Sequence, residues 1–235
     1  VTLHEKAIYL HEARMYQVEK MDYDQRKAYV REVDCDYFTD AIDYTQVKAL
    51  EEFDSEPVAQ ARAVHGDVRV NRQIVGFKKV KFYTNENVGA GQLSLPEQEM
   101  RTTAFWLHFP EAMLAQLTDC TPTDKQNGIV GLANALRTVA ALILMCDPRD
   151  LGVSVTEDTV PSRVYEPNLY LYDAYPGGIG QSQPLFQQRS RLLTATTEMI
   201  RTCPCESGCP SCVGPIGEIG DRGKEIALLL LEKLG

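Results

Sequence analysis

The sequence predicts an α+β protein, in which a β-rich N-terminal half precedes a helical α/β half that carries a four-cysteine knuckle. Up to residue 38, short segments rich in β-branched and aromatic residues recur at spacings of roughly 8–12 residues, which is typical of a meander or small barrel. After residue 119 the apolar residues recur at helical spacing instead. We therefore expect a β-rich accessory domain over residues 1–118 and a zinc-binding domain over residues 119–235.

Most of the first half reads as strands separated by charged or glycine-containing turns. Residues 45–64 are ambiguous, because Val47 and Phe53 fit a strand whereas Ala59–Arg62 also fit a short helix. Residues 85–96 contain two glycines and a proline and predict a loop. The predicted strands are 7–10, 15–18, 28–33, 68–70, 74–83 and 102–109.

The second half predicts helices around one strand. Residues 129–146 are apolar on nearly every face, which indicates a buried helix capped by Thr123 or Asp124. Residues 168–173 predict a strand that is followed by a glycine-rich turn. Apolar residues from Leu185 to Ile200 predict a helix that runs directly into Cys203, and residues 225–234 predict a further amphipathic helix.

Four of the seven cysteines lie within ten residues, in a C-x-C-x3-C-x2-C arrangement. Thiolates are the soft ligands that a tetrahedral zinc ion takes in structural sites, and a nearby glycine and two prolines favour a tight turn around such a centre. An iron–sulfur cluster, a redox dithiol and a disulfide pair are the competing interpretations. The spacing favours a structural zinc ion held by Cys203, Cys205, Cys209 and Cys212.

The charge balance argues against a domain whose whole surface binds nucleic acid, since the formal net charge is −9. One stretch nevertheless contains five basic residues and no acid, so contact with DNA phosphates is expected there if anywhere, the alternative being a solvated sheet face. These residues are Arg69, Arg72, Lys78, Lys79 and Lys81.

Composition is that of an ordinary globular chain, 44% hydrophobic and 24% charged, and the longest uninterrupted apolar stretch is too short to cross a bilayer. A tight thiol cluster with three scattered cysteines, Cys35, Cys120 and Cys146, indicates a reducing compartment. Because the chain starts at Val1 and reads there like the interior of a protein, we expect it to be part of a longer polypeptide.

No catalytic residue is predicted. The Gly177–Gly180 turn lacks the lysine and hydroxyl residue of a phosphate-binding loop, and Gly223-Lys224 is followed by a glutamate where such a loop needs Ser or Thr. The four histidines are dispersed along the chain. We therefore expect the chain not to be catalytic by itself.

Residues 171–180, the helix that follows and the four-cysteine cluster together resemble the MrfA-type zinc-binding domain. That domain lies at the C-terminus of a group of superfamily-two DEAD/DEAH-box DNA helicases that includes the MrfA and Hrq types. Residues 145–152 are similar to the entry segment of the same domain, and residues 4–12 and 36–39 are similar to the region that precedes it. The resemblance thus covers nearly the whole chain.

The resemblance implies ATP-dependent 3′-to-5′ unwinding by the full-length protein, in DNA repair, with zinc on the four cysteines. ATP and Mg²⁺ would act only through upstream motor domains outside this chain. The implied partners are the upstream helicase lobes and single-stranded or damaged DNA, with no membrane, in the cytoplasm or at the nucleoid. The alternative function is a protein-interaction module of a helicase-associated phage-defence complex.

Overall fold

The computed structural model describes residues 3–157 and 165–235, which form nine strands and six α-helices. The strands are β1 (Ile8–His11), β2 (Arg14–Asp22), β3 (Lys27–Glu32), β4 (Tyr37–Val58), β5 (Ala61–Lys81), β6 (Asn87–Gln92), β7 (Gln98–His108), β8 (Leu151–Glu157) and β9 (Pro167–Asp173). The helices are α1 (Glu111–Leu114), α2 (Pro122–Leu144), α3 (Ser182–Gln187), α4 (Arg189–Thr202), α5 (Ile216–Ile219) and α6 (Gly223–Leu234).

The strands form two sheets, which confirms the predicted α+β class. The first is an antiparallel meander with the order β1-β2-β3. The second has six strands in the order β4-β5-β7-β9-β8, with β6 paired to β5 outside that path. The β-rich first half is therefore followed by the helices, as predicted.

The described chain separates into two compact units, and three strands contribute to both. One unit comprises Val1–Thr45 and Asn71–Gln98, and the other comprises Gln46–Val70 and Glu99–Gly235. Because β4, β5 and, by its first residue, β7 each cross a unit limit, the units do not follow each other along the sequence. The boundary expected at residue 118 remains a prediction.

The centre of the larger sheet is buried on both faces. Along β7, Phe105 and Leu107 pack with the helices, whereas Ala104 and Trp106 pack on the other face with valines of β4 and β5. This alternation follows from the two-residue period of a strand. Tyr170 of β9 lies beside Trp106, with ring centroids 5.4 Å apart, so the single tryptophan is a core residue.

Helix α2 is the centre of the helical layer, and its start differs from the prediction. Thr121, not Thr123 or Asp124, is the N-cap: its side chain accepts from the Asp124 backbone N–H, and the Asp124 carboxylate accepts from the Thr121 N–H. This reciprocal capping box satisfies two backbone donors, and Pro122 occupies the position where no donor is needed. The helix is long and apolar enough to cross a membrane, but more than half of its most apolar stretch is buried inside the protein.

In the first half the structure decides one open alternative and corrects one prediction. Residues 59–62 are not helical: Ala59, with a φ of 48°, and Gln60 form the tight connection between β4 and β5, and Ala61 and Arg62 begin β5. Residues 85–96 are not only loop, because they contain β6. A side chain at Gly91 would approach the Phe77 ring to 2.4 Å, so this glycine permits close strand contact and does not mark a break in the strand.

Strand β8 was not predicted. It follows the turn at Pro148, where a single helical turn spans Pro148–Asp150, and pairs antiparallel with β9 from Leu151 opposite Asp173. Its sequence, Leu-Gly-Val-Ser-Val-Thr-Glu, alternates apolar with small or polar residues, which is the two-residue period typical of a strand. The glycine in it is required because a Cβ on Gly152 would lie 2.1 Å from the Tyr172 ring.

The contact between α2 and α6 generates a test of the packing. A Cβ added at Gly128 would lie 2.3 Å from Cγ2 of Ile226, so Gly128→Ala should lower the free energy of unfolding by about 1–3 kcal/mol despite the better helix propensity of alanine. Urea denaturation measures the difference. Gly217→Ala is the matched control, because no atom lies within 4 Å of its added methyl group; equal stability of the two variants would contradict the prediction.

Candidate metal centre

The four clustered cysteines converge on one point. Their Sγ atoms all lie within 4.8 Å of one another, and four of the pairs are 3.4–3.6 Å apart. In a tetrahedral zinc site with Zn–S distances of about 2.3 Å, neighbouring sulfurs are about 3.8 Å apart. The separations are too long for disulfides, which need about 2.05 Å, and all four thiols are free.

The local backbone brings these sulfurs together over a short stretch. Helix α4 ends at Cys203, whose backbone is extended, so the chain leaves the helix axis directly at the first thiol. The carbonyl of Cys209 accepts from the N–H groups of Cys212 and Gly214, both at 3.0 Å, which closes the turn between the last two thiols. Gly208 has a φ of 137°, a conformation that favours glycine.

The segment of residues 203–214, here called the cysteine loop, packs on α2. Cys212 and Val213 are buried, and the side-chain amide of Asn134 donates to the Val213 carbonyl at 3.2 Å. Ile219, in the short helix α5, is fully buried beside Gly223. The thiols therefore sit on a packed base and not at the tip of a loop.

The surroundings of two thiols shift their pKa values in opposite directions. The backbone N–H of Ser211, with hydrogen bonds from neighbouring thiols, lowers the pKa of Cys209 to about 7. Burial raises the pKa of Cys212 to about 12. A divalent ion would hold both as thiolates, because ligand thiols are deprotonated on metal binding.

The donor set fits one closed-shell divalent ion. Four sulfurs at near-tetrahedral spacing complete the coordination of zinc and leave no position for water or substrate, which is the arrangement of structural rather than catalytic zinc sites. A multi-iron cluster would insert several irons and sulfides between the thiolates and needs wider spacing.

The five basic residues singled out in the sequence all lie on β5, but the structure does not gather them into one unit. Arg69 belongs to the unit that contains the metal centre, and its guanidinium lies 3.6 Å from the Glu99 carboxylate. The other four lie in the unit formed by the first 45 residues and Asn71–Gln98: Arg72, Lys78, Lys79 and Lys81.

Carboxylates neutralise part of this basic stretch. The Arg72 guanidinium makes two hydrogen bonds of 3.0 Å to Asp43, and Lys81 lies 3.7 Å from Asp36. Burial raises the pKa of Asp43, but the hydrogen bond and charge of Arg72 outweigh it and hold that pKa below its ordinary value. A phosphate approaching Arg72 would therefore compete with a bound carboxylate.

The two neighbouring lysines are in a different situation. Lys78 is exposed, and no ion pair of its ammonium group is found within residues 3–157 and 165–235. The Lys79 ammonium group lies 4.9 Å from the centre of the Tyr37 ring, a cation–π contact that keeps its charge available. Of the five predicted contacts, these two are the best placed for phosphate.

The glycine-rich turn after β9 wraps around a carboxylate. Oδ2 of Asp173, a fully buried residue, accepts from the backbone N–H groups of Ile179, Gly180 and Gln181 at 2.7, 2.9 and 3.3 Å. Gly177, Gly178 and Gly180 have φ values between 76° and 82°. The turn therefore binds an internal anion, which explains its glycines without a phosphate ligand.

One residue of the centre was missed by the sequence reasoning. Lys224 is buried, and its ammonium group donates to the carbonyls of Cys203, at 2.7 Å, and Cys205. In the sequence, Lys224 drew attention only as part of the Gly223-Lys224 pair, which was tested as a nucleotide-binding motif and rejected. The helical period of α6 could have indicated its burial. Ala227 and Leu231, three and seven residues later, lie on the same face of the helix as Lys224, and both are buried.

Comparisons with known proteins agree with this geometry. Residues 132–213 match the family described as the MrfA Zn-binding domain. Over 232 residues, 99% of this chain, the sequence is 40% identical to the uncharacterized ATP-dependent helicase YprA of Bacillus subtilis. It is 24% identical over 229 residues to the ATP-dependent helicase HRQ1 of Saccharomyces cerevisiae.

A solved structure shows the same relationship. A crystal structure of the DUF1998 helicase MrfA bound to DNA superimposes with a TM-score of 0.68 at 39% identity, over 99% of this chain. The chain spans only 30% of that protein, 30% of the B. subtilis relative and 20% of the yeast relative. The chain accordingly contains an MrfA Zn-binding domain in residues 132–213, and over 99% of its length it is similar to part of the MrfA-type helicases.

Proposed function

We propose that this chain is the C-terminal accessory module of an ATP-dependent DNA helicase, which guides a DNA strand or braces the motor lobes. The observation that carries the proposal is the similarity of 99% of the chain to part of a helicase that was crystallised with DNA. ATP and Mg²⁺ act through upstream motor domains, since a second structure of that helicase contains both DNA and AMPPNP. We extend the proposal to 3′-to-5′ unwinding in DNA repair, in the cytoplasm or at the nucleoid.

The metal in this proposal is a structural zinc ion with Cys203, Cys205, Cys209 and Cys212 as its ligands. Their convergence and the match to a zinc-binding family support the assignment. The ion would supply a rigid cross-link and take no part in a reaction, because four thiolates leave it no open coordination position.

The DNA contact in this proposal lies on β5, and Lys78 and Lys79 are its two cations without a carboxylate partner among residues 3–157 and 165–235. Arg69, Arg72 and Lys81 are weaker candidates because each lies within 4 Å of a carboxylate. The sequence of the DNA would not be read by these residues, since phosphate contacts carry no direct base information. We therefore expect single-stranded or damaged DNA to be held largely independently of sequence.

Removal of one ligand tests the metal assignment. Cys209→Ala should reduce the metal content from about one zinc per chain towards zero after dialysis and should unfold the cysteine loop, because metal binding and local folding are coupled. Elemental analysis and thermal melting measure both effects. Cys35→Ala, in the other unit, is the control. Unchanged zinc content and melting temperature in Cys209→Ala would refute the ligand set. Iron in a coloured wild-type protein would favour an iron–sulfur cluster over zinc.

Charge reversal tests the DNA contact. Lys78→Glu/Lys79→Glu should weaken single-strand binding and make the slope of log affinity against log salt concentration shallower by about 1.4, or about 0.7 for each lost phosphate contact. Fluorescence anisotropy over a salt series measures this slope. Lys125→Glu/Lys233→Glu changes the net charge equally within the other unit and is expected to keep the wild-type slope. Equal slopes in the two double variants would leave the β5 contact without support and favour a protein-docking role.

A further inference from the structure

Lys224 combines burial with four contacts to the cysteine loop. It lies in the first turn of α6 and is 8% exposed. Its ammonium group donates to the carbonyls of Cys203 and Cys205, and it lies 3.6 Å from Sγ of Cys205. Its backbone N–H donates to the carbonyl of Ser207 at 3.3 Å. The residue therefore touches the loop on both sides of Glu206.

A buried ammonium group requires a negative partner, because removing a charge from water costs several kcal/mol when it stays unpaired. No carboxylate lies within ion-pair distance of Lys224 among residues 3–157 and 165–235. The acidic atom that it does contact is a cysteine sulfur. Four thiolates around one divalent ion carry a formal net charge of about −2, which also needs compensation in a partly buried site.

We propose that Lys224 is the counter-cation of the thiolate centre and that it connects metal loading to the docking of α6. This inference rests on the proposed zinc centre and adds a positioning residue that lies outside residues 132–213, the matched domain. Its N–H donors hold the carbonyls next to two ligands, and its charge lowers the electron density of the Cys205 sulfur. The loaded centre in turn supplies the negative charge that lets this lysine remain buried.

The packing around Lys224 makes this connection short. Gly223 leaves no room for a side chain, since an added Cβ would lie 2.6 Å from Ile219. Two residues after Lys224, Ile226 packs directly on Gly128 of α2. The first turn of α6 is thus held between the core helix and the cysteine loop, so a change in the charge of the loop acts directly on this turn.

Neutral substitutions of Lys224 test the charge. Lys224→Gln keeps a hydrogen-bond donor and removes the charge, and Lys224→Met removes both. Both variants of the full chain, loaded with zinc, should transfer the metal to a chromogenic chelator about 10–100-fold faster than the wild type, the range typical for loss of an outer-shell partner. Lys233→Gln on the same helix is the control, because its ammonium group bonds to Gln116 and not to the loop.

A spectroscopic measurement separates a positioning role from loss of structure. In cobalt-substituted protein the sulfur-to-cobalt charge-transfer band of Lys224→Gln should move to lower energy, because Cys205 loses a positive neighbour. Wild-type release rates and an unshifted band in Lys224→Gln would overturn the proposal, as would equal release rates in Lys224→Gln and Lys233→Gln.

Hydrogen exchange on the wild-type chain gives a test that no variant can obscure by failing to fold. Removal of zinc should increase amide exchange in the first turn of α6 more than in the last turn, near Lys233. Unchanged protection of the first turn would overturn the connection between metal and helix. If the wild-type chain binds no metal at all, the proposed zinc centre itself fails, which is distinguishable from zinc retention with an inert Lys224.

Discussion

The convergence of four thiols on a single point is the constraint on which the C-terminal part of this protein depends. Between the end of α4 and the start of α6 the chain contributes few fully buried apolar groups, chiefly Cys212, Val213 and Ile219. Such a segment cannot offset the entropy of its own ordering by hydrophobic burial alone. The free energy of metal binding offsets this cost of ordering the segment, and the cross-link fixes where α4 ends and where α6 begins. The two helices can then pack on α2 with defined positions.

The electrostatics of the molecule place its charges in local pairs and not in a broad basic surface. The net charge is −9, and of the five basic residues singled out on β5, three lie beside carboxylates: Arg69, Arg72 and Lys81. The nucleic-acid contact proposed above would be narrow, and its affinity would depend only weakly on the salt concentration, since few cations remain available and the salt slope grows with the number of phosphate contacts. Such a contact would suit the accessory role proposed above, in which other parts of the full-length protein supply most of the binding energy.

The features that could be predicted from the sequence are those carried by short-range patterns. The cysteine spacing identified the thiol cluster, and the apolar period placed α2 and α6 closely. The one helix predicted from Leu185 is instead two helices, α3 and α4, which are separated at Gln188. Features that depend on distant partners were missed. Gly91 reads as a loop residue until the Phe77 ring is seen against it, and the pairing of Arg72 with Asp43 joins residues 29 positions apart. Lys224 looked like part of a nucleotide motif because its partners, the loop carbonyls, are invisible in sequence.

The turn around Asp173 has a consequence for how such glycine patterns are interpreted in general. Its three converging N–H groups have the geometry that other proteins offer to phosphate, yet a carboxylate of the same chain already saturates them. A tethered ligand acts at an effective concentration of at least the millimolar range, far above what most free anions reach near a surface. The three N–H groups are therefore occupied by Asp173 and are not available to a free phosphate. The free energy of anion binding is used instead to close β9 onto the helix that follows.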